Sequence, residues 1–367
     1  MWCEDIVAAL RAKILDGTFS EGQRLPTYLE LEEQFHSTAP TVAKALDVLQ
    51  QHGFVRTEKG RGMYVARNLP HRSQYGLIFA FKQDELSQFY LALRNEAMRF
   101  EASGRRFSIF YGINGHTDTE DYQRLTGFLR SHRLAGLIFA QAMHELTGLP
   151  LLEEPGIPRV AIASGAARPD VPVVGMSYHT FVPKALDYFA SRGRRRVAMI
   201  MHAEGKPWPT EEPADLIEGT VARGMTTHRC WVQSVNAKTP IHAYEAAQLL
   251  MFAPPDQRPD ALIIRDDNLV AHATAGLQAM GIRVPEDLDI IAHANFPWAT
   301  PSAMPVHRLG YDIRQLFETC IERVDALRRG EQVPRLTPLF PLFEHELSKS
   351  KTAPGLSPAQ TFVSKGA

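Results

Sequence analysis

Adjacent carboxylates, Asp266-Asp267, follow the apolar run Ala261–Ile264 and are the pair most suggestive of chemistry in this sequence. Such a pair can share a proton or hold hydroxyl groups, but a strand end alone does not make an acid–base couple. The surrounding motifs for catalysis are missing. The sequence has no Gly-x-Ser-x-Gly elbow, no His-Glu-x-x-His and no Gly-x-x-x-x-Gly-Lys-Ser/Thr loop. Its 14 histidines are scattered, and His36, His179, His202, His228, His272 and His293 read as surface or core residues rather than ligands. Cys3, Cys230 and Cys320 are far apart, with no metal-binding spacing. The expectation is a protein that is not an enzyme and that needs no cofactor and no metal.

A different chemistry lies near the amino terminus. Lys44 and the Lys59-Gly60-Arg61 triplet are suited to gripping phosphates, with Arg24 and Thr27 beside them in the same surface. Thr38, Pro40 and Thr41 open a helical pattern that could present side chains to base edges. Residues 1–67 hold eight Lys or Arg against nine Asp or Glu, so any phosphate grip comes from placement rather than from bulk charge.

The elements that must carry these residues follow from periodicity. Ile6, Leu10 and Ile14, with Val7, make one apolar face of a first helix that Gly17 ends. Tyr28 to Phe35 gives a short second helix. Thr38 can cap a third helix, with Pro40 in its first turn and Val42, Ala45, Leu46 and Leu49 as its buried stripe. Phe54–Thr57 and Met63–Val65 are strand candidates joined by residues 58–62, a hairpin with two glycines. Helix, short helix, turn, helix, hairpin is the plan of a winged helix-turn-helix, whose third helix enters the major groove while the hairpin touches the backbone.

Residues 68–74 read as a linker in which Pro70 stops regular structure. From Tyr75 onward short apolar runs alternate with helical patterns. The runs are residues 75–81, 107–111, 136–140, 159–163, 197–201, 261–264 and 288–292; helical patterns include 88–103, 121–132, 180–192, 243–252 and 268–280. Alternation of this kind indicates parallel sheets covered on both faces, and the span is long enough for two α/β lobes. Residues 75–347 are thus expected to form a two-lobed α/β domain, and 348–367, rich in Ser, Lys, Pro and Gly, a tail without a fold. With 367 residues, 44% hydrophobic and 22% charged, the chain has ordinary globular usage, and its net charge of −1 excludes a general polyanion binder. No apolar run approaches the ~18 residues of a membrane helix, and the acidic start lacks a signal-type core, so a cytoplasmic protein without membrane contact is expected.

The head resembles the DNA-binding domain of GntR-type bacterial regulators. The resemblance is carried by Gly22-Gln-Arg-Leu-Pro, Leu31, Phe35, Thr41-Val42, Ala45-Leu46, Leu49, Gly53 and Gly60-Arg-Gly-Met-Tyr-Val65. It departs at Thr27-Tyr28-Leu29 and at Thr38-Ala39-Pro40, where the family commonly places arginines that contact DNA. Residues 75–346 resemble the effector domain of LacI-type regulators and periplasmic sugar-binding proteins. The matching pieces are residues 75–79, 136–140, 156–162, 186–200, 259–267 and, most specific, 281–291. That combination occurs in arabinose-repressor-like regulators.

The resemblance implies a dimeric repressor in which a sugar or sugar derivative closes two lobes at the strand ends and alters operator affinity. By position, Phe89, Trp208, Asp267, Asn295 and Trp298 are the effector-binding candidates, with Asp267 foremost. Asp267 alternatively caps the following helix, and Phe89 and Trp298 are alternatively core aromatics. Three polar positions of the pattern are replaced here, by Leu216, by Ser177-Tyr178 and by Ala292-His293-Ala294-Asn295. The replacements point to a ligand other than an ordinary free hexose, or to none. In the second case the chain would be a ligand-independent assembly protein of the same fold that binds DNA weakly.

Overall fold

The structure is a computed structural model and describes residues 1–101, 104–141, 146–153, 156–163, 168, 170–202, 211–236 and 238–347. It divides into two compact units. One comprises Met1–Leu86, Leu93–Gly175 and Leu316–Thr337; the other comprises Ser87–Ala92, Met176–Gln315 and the described residues from Pro338 on.

The first unit begins with the head. Helices α1 (Cys3–Leu15), α2 (Tyr28–Phe35) and α3 (Ala39–Gln51) are followed by β1 (Val55–Glu58) and β2 (Gly62–Val65). The stripe Ile6, Val7, Leu10 and Ile14 of α1 packs with Leu31 and Phe35 of α2 and Val42, Ala45, Leu46 and Leu49 of α3. The hairpin closes over this core through Val55 and Val65, which are direct antiparallel partners. Alternation along β2 leaves Met63 and Val65 inward. Pro70 does not stop regular structure. It occupies the start of a one-turn helix, α4 (Pro70–Ser73), where its missing N–H costs nothing, and β3 (Gln74–Ile78) follows at once.

Then come α5 (Gln88–Phe100), β4 (Arg106–Phe110), α6 (Glu120–Arg130), β5 (Gly136–Phe139), α7 (Pro150–Glu153), β6 (Arg159–Ile162) and β7 (Val173–Met176). β4, β3, β5, β6 and β7 lie side by side in one parallel sheet. Every residue of β5 is buried, as a strand covered on both faces requires.

The second unit carries α8 (Phe181–Ser191), β8 (Val197–His202), α9 (Glu211–Ala222), β9 (Val232–Val235), α10 (His242–Leu250), β10 (Ala261–Ile264), α11 (Asp267–Ala279), β11 (Asp289–Phe296) and β12 (His307–Asp312). After α12 (Ile313–Arg328) and β13 (Leu336–Leu339), β14 (Leu342–Phe343) completes the sheet β14-β12-β11-β10-β8-β9, parallel except for β14. The basic residues around Gly193 have a structural job. Arg192 Nε donates to buried Asp289 at 2.6 Å, and the backbone N–H groups of Arg195 and Arg196 donate to Asp260.

Sequence periodicity misses how the chain returns. α12 leaves the second unit and packs in the first, where Asp325 accepts from the Tyr75 hydroxyl at 2.7 Å. Gly136 makes room for it, since a Cβ there would lie 2.3 Å from Val324 Cγ1. β11 also runs four residues past the expected end at Ala292, to Phe296. Among the described residues no helix is long and apolar enough to cross a membrane.

Candidate DNA-binding head and effector site

The turn between α2 and α3 is made by His36, which adopts a left-handed conformation (φ 45°) and ends α2. Thr27 begins α2 in a reciprocal capping box: its hydroxyl accepts from the Glu30 N–H, and Glu30 Oε2 accepts from the Thr27 N–H at 2.7 Å. Thr27, a DNA-facing candidate in the sequence, is exposed and also holds the helix start. Thr38 stands at the start of α3 as expected, but its side chain makes no capping bond to the backbone. Its hydroxyl pairs with that of Thr41 at 2.9 Å. Pro40 fills the first turn. Thr38, Pro40 and Lys44 are exposed and Thr41 is half-buried, so the amino-terminal face of α3 is open.

The wing tip, Lys59, Gly60 and Arg61, is exposed, with Gly60 in the left-handed region (φ 74°) that the turn demands. Arg24 lies along the wing: Leu25 N–H donates to the Met63 carbonyl at 2.9 Å, and a Cβ on Gly62 would lie 3.2 Å from the Arg24 Nε. Arg24 and the wing are thus brought together. Arg61 has Glu58 at 4.0 Å as its only near carboxylate among the described residues, a solvent-exposed pair that binds weakly. Tyr28 and Leu29 are exposed at the start of α2, where the family pattern would place charge.

In the second unit the strand ends gather a polar cluster. Asp266, not Asp267, caps α11: its carboxylate accepts from the Asn268 N–H at 2.8 Å. The capping alternative for Asp267 is thereby corrected. Asp267, only 3% exposed, accepts from the Asn295 side-chain amide, so two effector candidates are in direct contact. Burial, and then the charge of Asp266, pushes the Asp267 carboxyl up to about 7.

Asn295 is fully buried, and its Oδ1 finds no hydrogen-bond partner among the described residues. Two residues earlier, on the same face of β11, His293 is buried between the rings of Phe181 (5.7 Å) and Tyr311 (5.9 Å). Both its nitrogens are without partners among the described residues, and burial with the charge of Arg265 holds it well below the usual imidazole range. The Arg265 guanidinium lies over Phe181 at 4.4 Å and Tyr178 at 5.0 Å. β12 can close on this stretch because residue 310 is glycine; a Cβ there would meet the Ala294 carbonyl oxygen at 1.7 Å.

Trp298 sits just beyond, 39% exposed, its N–H donating to the Asn295 carbonyl at 2.7 Å. Phe89 is in the first turn of α5, half-buried and edge-on to Tyr90. Trp208 lies outside the described residues. Arg265, His293, Tyr178 and Phe181 were not singled out as ligands in the sequence. The only available signal was the polar pair, residues 293 and 295, spaced two apart beyond an apolar run.

Residues 3–65 match the gntR family of bacterial regulatory proteins, and residues 186–342 match the periplasmic binding protein-like domain. The chain is thus similar to the gntR regulators over its head and to the periplasmic binding protein-like domain over much of the second unit. The arabinose metabolism transcriptional repressor of Geobacillus stearothermophilus is 20% identical over 88% of this chain and 92% of its own length. The HTH-type transcriptional repressor PurR of Erwinia tasmaniensis is 24% identical over 75% of this chain and 80% of its own. Among solved structures, the complex of the transcriptional regulator CelR with cellobiose superposes with a TM-score of 0.55 at 19% identity. It covers 87% of this chain and 98% of that one. A LacI-family regulatory protein from Chloroflexus aggregans gives 0.56 at 20% identity, covering 74% and 96%.

Proposed function

We propose that the chain is a homodimeric transcriptional repressor of the cytoplasm that releases or grips operator DNA according to a small carbohydrate-like effector. The observation that carries the reading is the open amino-terminal face of α3, Thr38 to Lys44, standing beside a basic wing on a three-helix core. In this reading Lys44, Lys59, Arg61 and Arg24 hold phosphates, and Thr38, Pro40 and Thr41 approach base edges. The Asp267–Asn295 contact supports the effector half. A buried carboxyl and amide with acceptor capacity to spare suit a polyhydroxylated ligand, whose hydroxyls both donate and accept. Tyr178, Phe181 and Arg265 make the surroundings more aromatic and more cationic than a plain hexose requires, which favours a sugar derivative. The relatives' printed roles in repression favour the same reading.

A salt series with random duplex DNA tests the reader. Log affinity should fall linearly with log salt, and Lys44→Ala should flatten the slope by about one. A flat line for the parent protein would refute a phosphate-gripping head and favour the weak-binding assembly protein.

A further inference from the structure

A second concentration of positive charge in the first unit, at the other end of α3 from the open face, has no paired carboxylate among the described residues. Arg11, on α1, donates from Nη2 to His52 Nδ1 at 3.2 Å, just after the last turn of α3. Its guanidinium lies over the Phe54 ring at 5.7 Å. Arg133, in the turn after α6, lies over Phe128 at 3.9 Å, and its charge bears on both Arg11 and His52. The Nε atoms of Arg11 and Arg133 are buried, and neither has a hydrogen-bond partner among the described residues. Neither arginine forms an ion pair with a described carboxylate. Elsewhere in the same unit guanidinium groups are paired: Asp325 meets Arg105 at 3.5 Å and Arg328 at 3.2 Å. Buried guanidinium N–H groups left unmet cost free energy that an acceptor would recover.

We propose that Arg11, His52 and Arg133 form a seat for a small oxyanion, free phosphate or the phosphoryl group of a metabolite, where α1 and α3 of the head meet the turn after α6. Two guanidinium groups and an imidazole present the fork geometry and proton donors that phosphate oxygens accept. Operator phosphate is not the occupant. α3 has 13 residues, so His52 stands about 20 Å along the helix from Thr38 and about 12 Å from Lys44, at the opposite end of α3 from the open face. An anion here ties the head to the α6 turn without competing for DNA. His52 Nδ1 accepts from Arg11, so the neutral ring carries its proton on Nε2; burial and the charges of Arg133 and Arg11 hold it down to about 4, and a bound dianion would raise it.

The test is thermal unfolding of the full chain in sodium phosphate against sodium chloride at matched ionic strength. Phosphate should raise Tm by a few degrees over chloride, because a ligand bound only to the native state stabilises it. Arg11→Gln with Arg133→Gln should erase the rise, while Arg133→Lys, which keeps the charge, should retain part of it. In a parallel arm, glucose 6-phosphate is compared with glucose. A rise for the phosphorylated sugar above that for inorganic phosphate, lost in the Gln variants, assigns the seat to a phosphorylated metabolite. Equal rises assign it to free phosphate. NMR titration of His52 should show its pKa climbing as phosphate is added. No rise over chloride, or an undiminished rise in the double variant, would overturn the proposal.

Discussion

Asp267 is a residue whose environment sets its behaviour more than its type does. Its carboxyl titrates near 7 when folded and near 3.8 when exposed, so between those values the native state holds a proton that the unfolded chain does not. Stability from this group is therefore present at low pH and lost as pH rises from about 4 towards 7. Asp267→Asn cannot ionise and keeps a similar shape. The variant should match the parent at pH 4.5 and exceed it at pH 8, by a few kcal/mol at most in urea unfolding. A gap that does not change with pH would mean that Asp267 is not buried as described. Asp267→Ala should also lose the thermal shift given by sugars that stabilise the parent, as the proposed effector role requires. The sequence made Asp267 visible because it follows an apolar strand run. It could not separate Asp266 from Asp267, since which of two neighbours caps a helix depends on the turn entering it.

At the level of elements, what was legible and what was not divides by burial pattern. Fully buried parallel strands such as β5 and β10 are continuous apolar runs, and their bounds follow from the sequence to within a residue or two. The apolar run of β11 ends before the strand does, because its last residues towards the site include His293 and Asn295, polar residues inside a buried strand. The polar residues that make the site are thus what hid it. Edge strands β9 and β13 mix exposed and buried positions over four residues and gave no period to read. The close approach of β12 to β11 is a backbone fact with no pattern, yet it makes a sharp prediction. Gly310→Ala puts a methyl group into the Ala294 carbonyl and should cost about 2–3 kcal/mol, detectable as a lower urea midpoint with unchanged slope. The wing makes another. Lys59→Ala with Arg61→Ala should flatten the salt slope of DNA binding by about two while leaving Tm near the parent value, because both side chains are exposed. An unchanged slope would assign the grip to α3 alone.

For the molecule as a whole, net charge near zero conceals a strong response to acid. Burial and neighbouring cations push His52 and His71 down to about 4, and hold His293 and His307 below the usual range as well. Arg72, Arg328 and His132 bear on His71, as Arg11 and Arg133 do on His52. In the unfolded chain these imidazoles take up protons near 6.5, whereas the native state leaves them neutral. Their contribution is therefore present above pH 6.5 and lost as pH falls towards 4. Asp267 opposes them over the same interval by favouring the native state in acid, but it is one group against four. The balance at pH 5.5 is a net uptake of protons on unfolding, so the protein should lose stability on acidification well before its paired carboxylates titrate. His52→Gln with His71→Gln keeps hydrogen-bonding capacity at both positions and removes two of the four imidazoles. The fall in Tm between pH 7.5 and pH 5 should shrink in that variant, while Tm at pH 7.5 stays close to the parent. If the fall is as steep as before, the acid response lies with the second unit's His293 and His307, and the junction around Arg11 and Arg133 is more open to water than its burial implies.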